Sequence, residues 1–405
     1  MSTPQAPFVA PPPAAPAPPL NFLNVLQRML SVSDKVSDLI FSPGRAPQVE
    51  LLGELQPVPV PGLEKLLPAH TASLAKLIIG NHPTAAQNLE KLGSADLSFS
   101  APGFARFRVN IFMQRGTHAI VMRVIPNRPP QWSDYNLPVV LKEIAGLKNG
   151  VVLVTGPTGS GKSTTLAAVI DLVNETKAYH IVTIEDPIEF LHPHKNSTIH
   201  QRELHSDTPS FALALRAALR QAPKVILVGE MRDRETIEVA LEAAETGHLV
   251  LSTLHTIDAS KTVDRIIGVF PKNEEQSIRT RLSQSFRFIV SQRLIPRADR
   301  QGRVAAIEIL KSTARTREYM EYGERDGKSL VDAMEQGDLE GMQTFDGVLE
   351  RYVREGLVKK EDAMAYATNP GNFLLRLSDM GAPGAGSPPP ASPNGNGGSM
   401  LDMIE

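Results

Sequence analysis

Four short apolar runs, at 151–154, 181–184, 225–228 and 249–253, punctuate the middle of the chain. Between them, 164–173, 210–222 and 234–244 carry apolar residues at helical spacing. Short apolar strands separated by helices predict a parallel sheet covered on both faces. Upstream the pattern changes. Phe22, Val25, Leu26, Met29 and Leu30 share one helical face, and 37–58 reads as strands with turn signals at Pro43-Gly44 and Gly53. A helical stretch, 63–79, leads into 95–124, where apolar and polar residues alternate as in antiparallel strands. Phe104, Arg106, Arg108, Asn110 and Phe112 lie in that segment.

Composition sets the borders. Residues 1–20 are dominated by proline and alanine and are expected to form a disordered arm, as is the Gly/Pro/Ser/Asn-rich tail 381–405. The expected domains are a small α+β domain at 21–125, a linker at 126–148 around Pro129-Pro130, an α/β domain at 149–300 and a helical, charged region at 301–380. The net charge of −2 offers no basic footprint for nucleic acid. The chain has no cysteine, which excludes disulfides, thiol catalysis and cysteine-ligated zinc. No stretch approaches the roughly 18 apolar residues of a membrane span, and no signal-peptide pattern opens the chain, so a cytoplasmic protein is expected.

The sharpest chemical signal follows the first apolar run. Gly156-Pro157-Thr158-Gly159-Ser160-Gly161-Lys162-Ser163 is a complete phosphate-binding loop between a predicted strand and a predicted helix that opens with Thr164. Glycines let successive N–H groups turn inward around an anion, and the helix N-terminus adds partial positive charge. Lys162 is expected to reach the β/γ-phosphates and the Ser163 hydroxyl to hold Mg²⁺. Together these residues predict a nucleoside-triphosphate site.

Two acidic clusters end the next strands: Thr183-Ile184-Glu185-Asp186-Pro187-Ile188-Glu189 and Gly229-Glu230-Met231-Arg232-Asp233. Ligands of open parallel sheets sit at the carboxyl ends of strands, so both clusters should face the triphosphate. Hydrolysis needs a carboxylate to activate water and others to position the metal. His248 and His255 bracket the last strand. No acidic or thiol partners share their spacing, so a hydrogen-bonding sensor of the γ-phosphate fits better than a metal site.

The phosphate loop, the 183–189 acidic box, Gly229-Glu230, and the box from Gly247-His248 to His255-Thr256 stand in the order and spacing of the secretion ATPases. Within that superfamily the chain most resembles the PilT/PilU group of type IV pilus retraction ATPases. The resemblance runs over roughly 22–377 and is densest at 150–294, where Ala243-Ala244-Glu245-Thr246-Gly247-His248 and Asp264-Arg265-Ile266-Ile267 also match. It implies a RecA-like P-loop ATPase domain, a PAS-like N-terminal α+β domain and a helical C-terminal region. It further implies ATP and Mg²⁺ as cofactors, and a homohexamer on an inner-membrane pilus platform protein at the cytoplasmic face, with a paralogous retraction ATPase as a further candidate partner. By the same resemblance Glu189 is the general base, Glu230 the Walker B carboxylate near Mg²⁺, and His248 and His255 the His box. Arg106, Arg108, Arg115 and Arg123 lie where the family's N-terminal domain supplies arginines to the nucleotide. An arginine that meets charge developing on a transferring phosphoryl group is worth roughly 10³–10⁵ in rate.

The lack of a tetracysteine zinc element favours retraction over assembly or type II secretion. Gly229-Glu230-Met231-Arg232-Asp233 is PilT-like, whereas Leu219-Arg220-Gln221-Ala222-Pro223 and Gly341-Met342-Gln343-Thr344-Phe345-Asp346 lean to PilU. Ile40 follows Ser37-Asp38-Leu39 where the family has histidine, Asn149 stands where a basic residue is usual, and 314–319 matches the PilT retraction motif only loosely. A PilU-like accessory ATPase is therefore the alternative within the group. A nucleic-acid translocase is opposed by the charge, and an adaptor without activity by the presence of Lys162, Glu189 and Glu230.

Overall fold

A computed structural model describes residues 21–126, 128–325 and 328–378, apart from the side chain of Asp134. The proline-rich arm and the 381–405 tail lie outside the described residues. The chain forms two compact units, one running to Leu294 and including Ala305–Thr344, the other made of Ile295–Val304 and the residues from Phe345 onward.

The first unit opens with a PAS-like α+β layer. Helix α1 (Phe22–Leu30) starts at Asn21, whose side chain accepts from Asn24 N. Strands β1 (Val36–Phe41), β2 (Gln48–Leu51) and β3 (Glu54–Pro57) precede helices α2 (Pro68–Ile79) and α3 (Pro83–Leu92). Strands β4 (Ser94–Ala101), β5 (Ala105–Gln114) and β6 (Thr117–Ile125) complete a six-stranded sheet of order β3-β2-β1-β6-β5-β4, antiparallel at every pairing. Arg115 and Gly116 both take positive φ, 48° and 73°, as a two-residue primed hairpin turn requires.

Alternation along β5 decides its two faces. Phe107, Val109 and Ile111 are fully buried with Leu39, Phe41 and the apolar faces of α1 and α2. Each such side chain contributes about 1.5–3 kcal/mol by leaving water. The opposite face is polar. Asp38 pairs in register with Arg123, Arg123 with Arg108, and Arg108 with Ser98, so one charged row crosses β1, β6, β5 and β4.

A second sheet follows. Strand β7 (Gly150–Thr155) leads to α4 (Lys162–Thr176), then β8 (His180–Glu185), β9 (Thr198–Glu203), α5 (Phe211–Ala218), β10 (Val225–Val228), α6 (Arg234–Glu245) and β11 (Leu249–Leu254). After α7 (Ala259–Ile267) and α8 (Glu275–Ser285) come β12 (Phe286–Pro296) and β13 (Arg303–Lys311), and then α9 (Ala314–Tyr322) and α10 (Leu330–Glu335). The order is β13-β12-β7-β11-β10-β8-β9, with the six strands from β12 to β9 all parallel. The period of two splits the apolar runs between two cores. Val151 and Leu153 pack with α5 to α8 on one face, Val152 and Val154 with α4 on the other. This is the doubly covered parallel sheet that the run pattern predicts, and the RecA-like domain that the resemblance implies.

Differences from the sequence reading are local. Residues expected as a linker include a 3₁₀ segment, Val139–Gly146, whose Leu141 and Ile144 are buried against α4. They are part of the ATPase core because α4 needs a cover on its outer side. Helices α3, α7 and α8 and strands β9 and β12 go beyond the elements the pattern predicts, and β13 is a strand in the 301–380 region expected to be helical. Strand β9 pairs on one side only and alternates exposed Thr198 and His200 with buried Ile199, so it lacks an apolar run.

In the second unit, α11 (Phe345–Arg354), α12 (Lys360–Tyr366) and α13 (Pro370–Ser378) pack together. Phe345, Val348, Leu349 and Tyr352 form the buried stripe of α11, and Phe373 and Leu377 that of α13. The Asp346 carboxylate accepts from the backbone N–H groups of Thr368 and Asn369 at 2.7 and 3.0 Å, which ties the start of α13 to α11.

Candidate nucleotide site

The phosphate loop sits between β7 and α4 as a nest of left-handed glycines. Gly156, Gly159 and Gly161 have φ of 145°, 77° and 90°. A Cβ on Gly156 would lie 2.4 Å from the Gln292 carbonyl oxygen and 2.5 Å from Ser160 Oγ. One on Gly161 would lie 2.8 Å from the end of the Gln292 side chain, so there the φ of 90° calls for glycine, whereas at Gly156 the backbone contact adds a packing reason. Gln292, buried on β12, also accepts from Thr165 Oγ1 at 2.8 Å, bracing the first turn of α4 from the neighbouring strand. Lys162 Nζ donates to the carbonyls of Gly156 and Pro157 at 2.9 and 3.0 Å, which holds the ammonium over the loop. Burial pushes the Lys162 ammonium below the usual lysine value, and the Glu189 and Glu230 carboxylates work against that shift.

A cavity of about 690 Å³ opens beside the loop. Lys162, Ser163 and Thr164 line it, with Thr158, Gly159 and Gly161. Both acidic strand ends reach it, as the parallel topology requires: Glu185 and Glu189 after β8, and Glu230 after β10. Glu189 is exposed at the cavity, whereas Glu185 is half-buried at its wall. The Glu185 carboxylate accepts from Thr183 Oγ1 at 2.6 Å and Gln201 Nε2 at 3.1 Å, and burial pushes it above the usual carboxylate range despite those bonds. Glu230 is bridged by Arg232 at 2.6 Å and lies 3.6 Å from His255 Nε2. Thr253 Oγ1 donates to the Gly229 carbonyl at 2.7 Å, fixing the strand end that carries Glu230.

The two histidines separate. His255 lines the cavity. His248 lies at the other end of β11, seven residues and so about 23 Å away along an extended strand, with Nδ1 2.9 Å from the Ala243 carbonyl at the end of α6. The strand between them is the reason: six residues of β11 run the full depth of the sheet.

The arginines separate too. Arg108 and Arg123 project from the polar face of the N-terminal sheet and line the nucleotide cavity. Arg123 Nε also donates to the buried Asp38 at 3.0 Å. Arg106 shares that face but is bound to Glu203 of β9 at 2.7 Å. Arg115 occupies the hairpin turn at the far end of β5, seven positions beyond Arg108, and lines none of this cavity. Glu203 and Gln292 were not singled out from the sequence as site residues, and Glu185 and Asp38 entered only as members of the 183–189 box and the Ser37-Asp38-Leu39 motif. Gln292 had a readable signal, since it falls in step with the buried Phe286, Phe288 and Val290 where a polar residue needs a partner. Among the described residues no group of three or more His, Asp or Glu is placed to hold a metal by itself.

Residues 94–339 match the family described as type II/IV secretion system protein. The type IV pilus retraction ATPase PilT of Pseudomonas aeruginosa is 44% identical over 345 residues, covering 85% of this chain and 97% of the relative. PilU of the same organism, a type IV pilus ATPase, is 38% identical over 358 residues, covering 88% and 91%. A crystal structure of the pilus retraction motor PilT with bound ADP superposes with a TM-score of 0.78 at 41% identity, over 87% of this chain and 98% of that one. With a phosphate loop, two acidic strand ends and a PAS-like sheet arranged around one cavity, the chain belongs to the type II/IV secretion system family, in the group of the pilus retraction ATPases.

Proposed function

We propose that this chain is an ATP-hydrolysing motor for type IV pilus retraction, working as a homohexamer. One observation carries the reading. A single cavity is lined by Lys162 and Ser163 of the loop, by Glu189 and Glu230 from two strand ends, and by Arg108 and Arg123 from a different sheet. Those are the parts that phosphoryl transfer to water requires.

In this reading the loop N–H groups and Lys162 hold the β- and γ-phosphates. Glu189, exposed to the cavity, takes the proton of the attacking water. Arg108 and Arg123 meet charge developing on the transferred group. The Ser163 hydroxyl and Glu230 carboxylate are hard oxygen donors on one cavity and suit Mg²⁺, which when bound neutralises phosphate charge. His255, beside Glu230, would report the state of that carboxylate to β11. His248 would act elsewhere than on the nucleotide of its own chain.

Work follows from the division of labour between the sheets. The N-terminal sheet supplies cations to a site that the other sheet builds, so nucleotide turnover alters what holds the two together. Docking on a pilus platform protein at the inner face of the inner membrane, beside a paralogous ATPase, completes the proposal. No described helix is long and apolar enough to cross a membrane.

Gene deletion scored for piliation and surface movement tests this. Hyperpiliated, non-motile cells are the expected result. Bare cells would assign the chain to assembly. A phenotype seen only when a paralogue is weakened would assign it the accessory, PilU-like role.

A further inference from the structure

The charge pair between the N-terminal sheet and β9 has geometry that the hydrolytic roles leave unexplained. Glu203 is 3% exposed, yet one of its oxygens, Oε2, collects three donors. Arg106 Nη2 donates at 2.7 Å, Ser98 Oγ at 2.9 Å and the Ile188 N–H at 3.0 Å. The first two come from β5 and β4 of the N-terminal sheet. The third is the backbone group immediately before Glu189 in the chain. Glu203 itself is fixed by its own N–H, which donates to Asp207 Oδ2 at 2.8 Å.

Arg106 depends on this carboxylate. Its Nε is buried without a hydrogen-bond partner, and its Nη2 forms the ion pair to Glu203. The next residue on the same face of β5 is Arg108, which reaches the nucleotide cavity. One strand face therefore presents Arg108 to the nucleotide cavity and Arg106 to the carboxylate that receives the Ile188 N–H, one residue before Glu189.

We propose that Glu203 is a positioning residue, coupling the docking of the N-terminal sheet through Arg106 and Ser98 to the placement of Glu189. Arg106 is then a latch and not a nucleotide ligand. When the sheet is seated, Arg106 and Ser98 hold Glu203 in the orientation that receives the Ile188 N–H, and Glu189 is held where it can meet water. When the sheet swings away, the carboxylate loses two of its three donors and the 187–189 turn loosens. Hydrolysis is thereby confined to the closed arrangement. This rests on the assignment of Glu189 as base.

The test uses the full chain with Glu203→Gln, Arg106→Gln and the double variant, measuring kcat and KM for ATP, affinity for a fluorescent ATP analogue and thermal midpoint. Glu203→Gln keeps size and an acceptor oxygen while removing the charge. Each single variant should lower kcat about 10-fold or more, as misplacement of a reacting group does, with KM and analogue affinity within about 3-fold. The double variant should be no slower than the singles, because the two residues act as one unit. Wild-type kcat in Glu203→Gln would overturn the proposal, as would additive losses. Loss of analogue affinity in Arg106→Gln, parallel to its loss of rate, would return Arg106 to the nucleotide and also overturn it. Should Glu203→Gln fail to fold, Ser98→Ala and Arg106→Lys, which keep the buried charge balanced, must show the same kcat-specific loss for the proposal to stand. A wild-type rate that does not depend on Glu189 would reject the base assignment. A Glu189-dependent rate indifferent to Glu203 would reject this coupling alone.

Discussion

Arg123 is steered by Asp38. The buried Asp38 carboxylate accepts from Arg123 Nε at 3.0 Å across the β1–β6 pairing, and the arginine, 69% exposed, keeps its side chain on the nucleotide cavity. With so much of the arginine in water, the pair adds little to stability, within about 1 kcal/mol. Its value is orientation. Asp38→Asn should raise the KM for ATP or lower kcat by several-fold while shifting the thermal midpoint only slightly. Steady-state kinetics with a melting curve checks it, and a wild-type kcat/KM would remove Asp38 from the site.

Glu189→Ala should retain ATP binding and lose turnover by about 100-fold or more, the usual worth of a positioned general base. Equilibrium binding of a fluorescent ATP analogue beside a phosphate-release assay separates the two. Sustained hydrolysis by this variant would reject Glu189 as the base.

Gly156→Ala puts a Cβ 2.4 Å from the Gln292 carbonyl oxygen, a backbone atom that cannot swing aside, at φ 145°. The cost is on the order of 1–3 kcal/mol of backbone strain, before any shift of Gln292. A lower thermal midpoint together with loss of nucleotide binding is expected. Gly159→Ala, with nothing near its Cβ at φ 77°, should lose less stability in the same melting experiment.

His192 lies beside the ion pair of buried Asp171 with exposed Lys195, and burial pushes its imidazole down to about 4 from 6.5, with Lys195 adding to the shift and Asp171 opposing it. The folded state thus prefers neutral His192. The contribution to stability is complete above pH 6.5 and is lost as pH falls toward 4. It amounts to on the order of 3 kcal/mol, from 1.36 kcal/mol per unit. His192→Gln should flatten the fall in stability between those pH values, measured by urea unfolding at pH 7 and pH 4.5. An unchanged slope would place the titration on another group.

Much of this was legible in the chain. The apolar runs of β7, β8, β10 and β11 are central strands covered on both faces, so they carry no polar alternation and stand out. The alternation of β5 likewise announced a sheet with one wet face. Strand β9 was hidden because edge pairing asks for no apolar run. The Val139–Gly146 segment was hidden because the prolines ahead of it, Pro129-Pro130 and Pro138, resemble a linker, while Leu141 and Ile144 acquire a core only when α4 covers them.

By itself the sequence determined the phosphate loop, because a glycine nest and a helix N-terminus are local structures within one short segment. It also determined that acidic groups meet that loop, since strands of a parallel sheet end on the same side. What faces a side chain from another sheet was decided only by tertiary structure. Arg106 and Arg108 are equivalent by the period of the strand, yet one meets Glu203 and the other the nucleotide cavity. His248 and His255 are close in sequence but stand at opposite ends of β11. Periodicity assigns a residue to a face, and only the packing of one sheet on another supplies its partner.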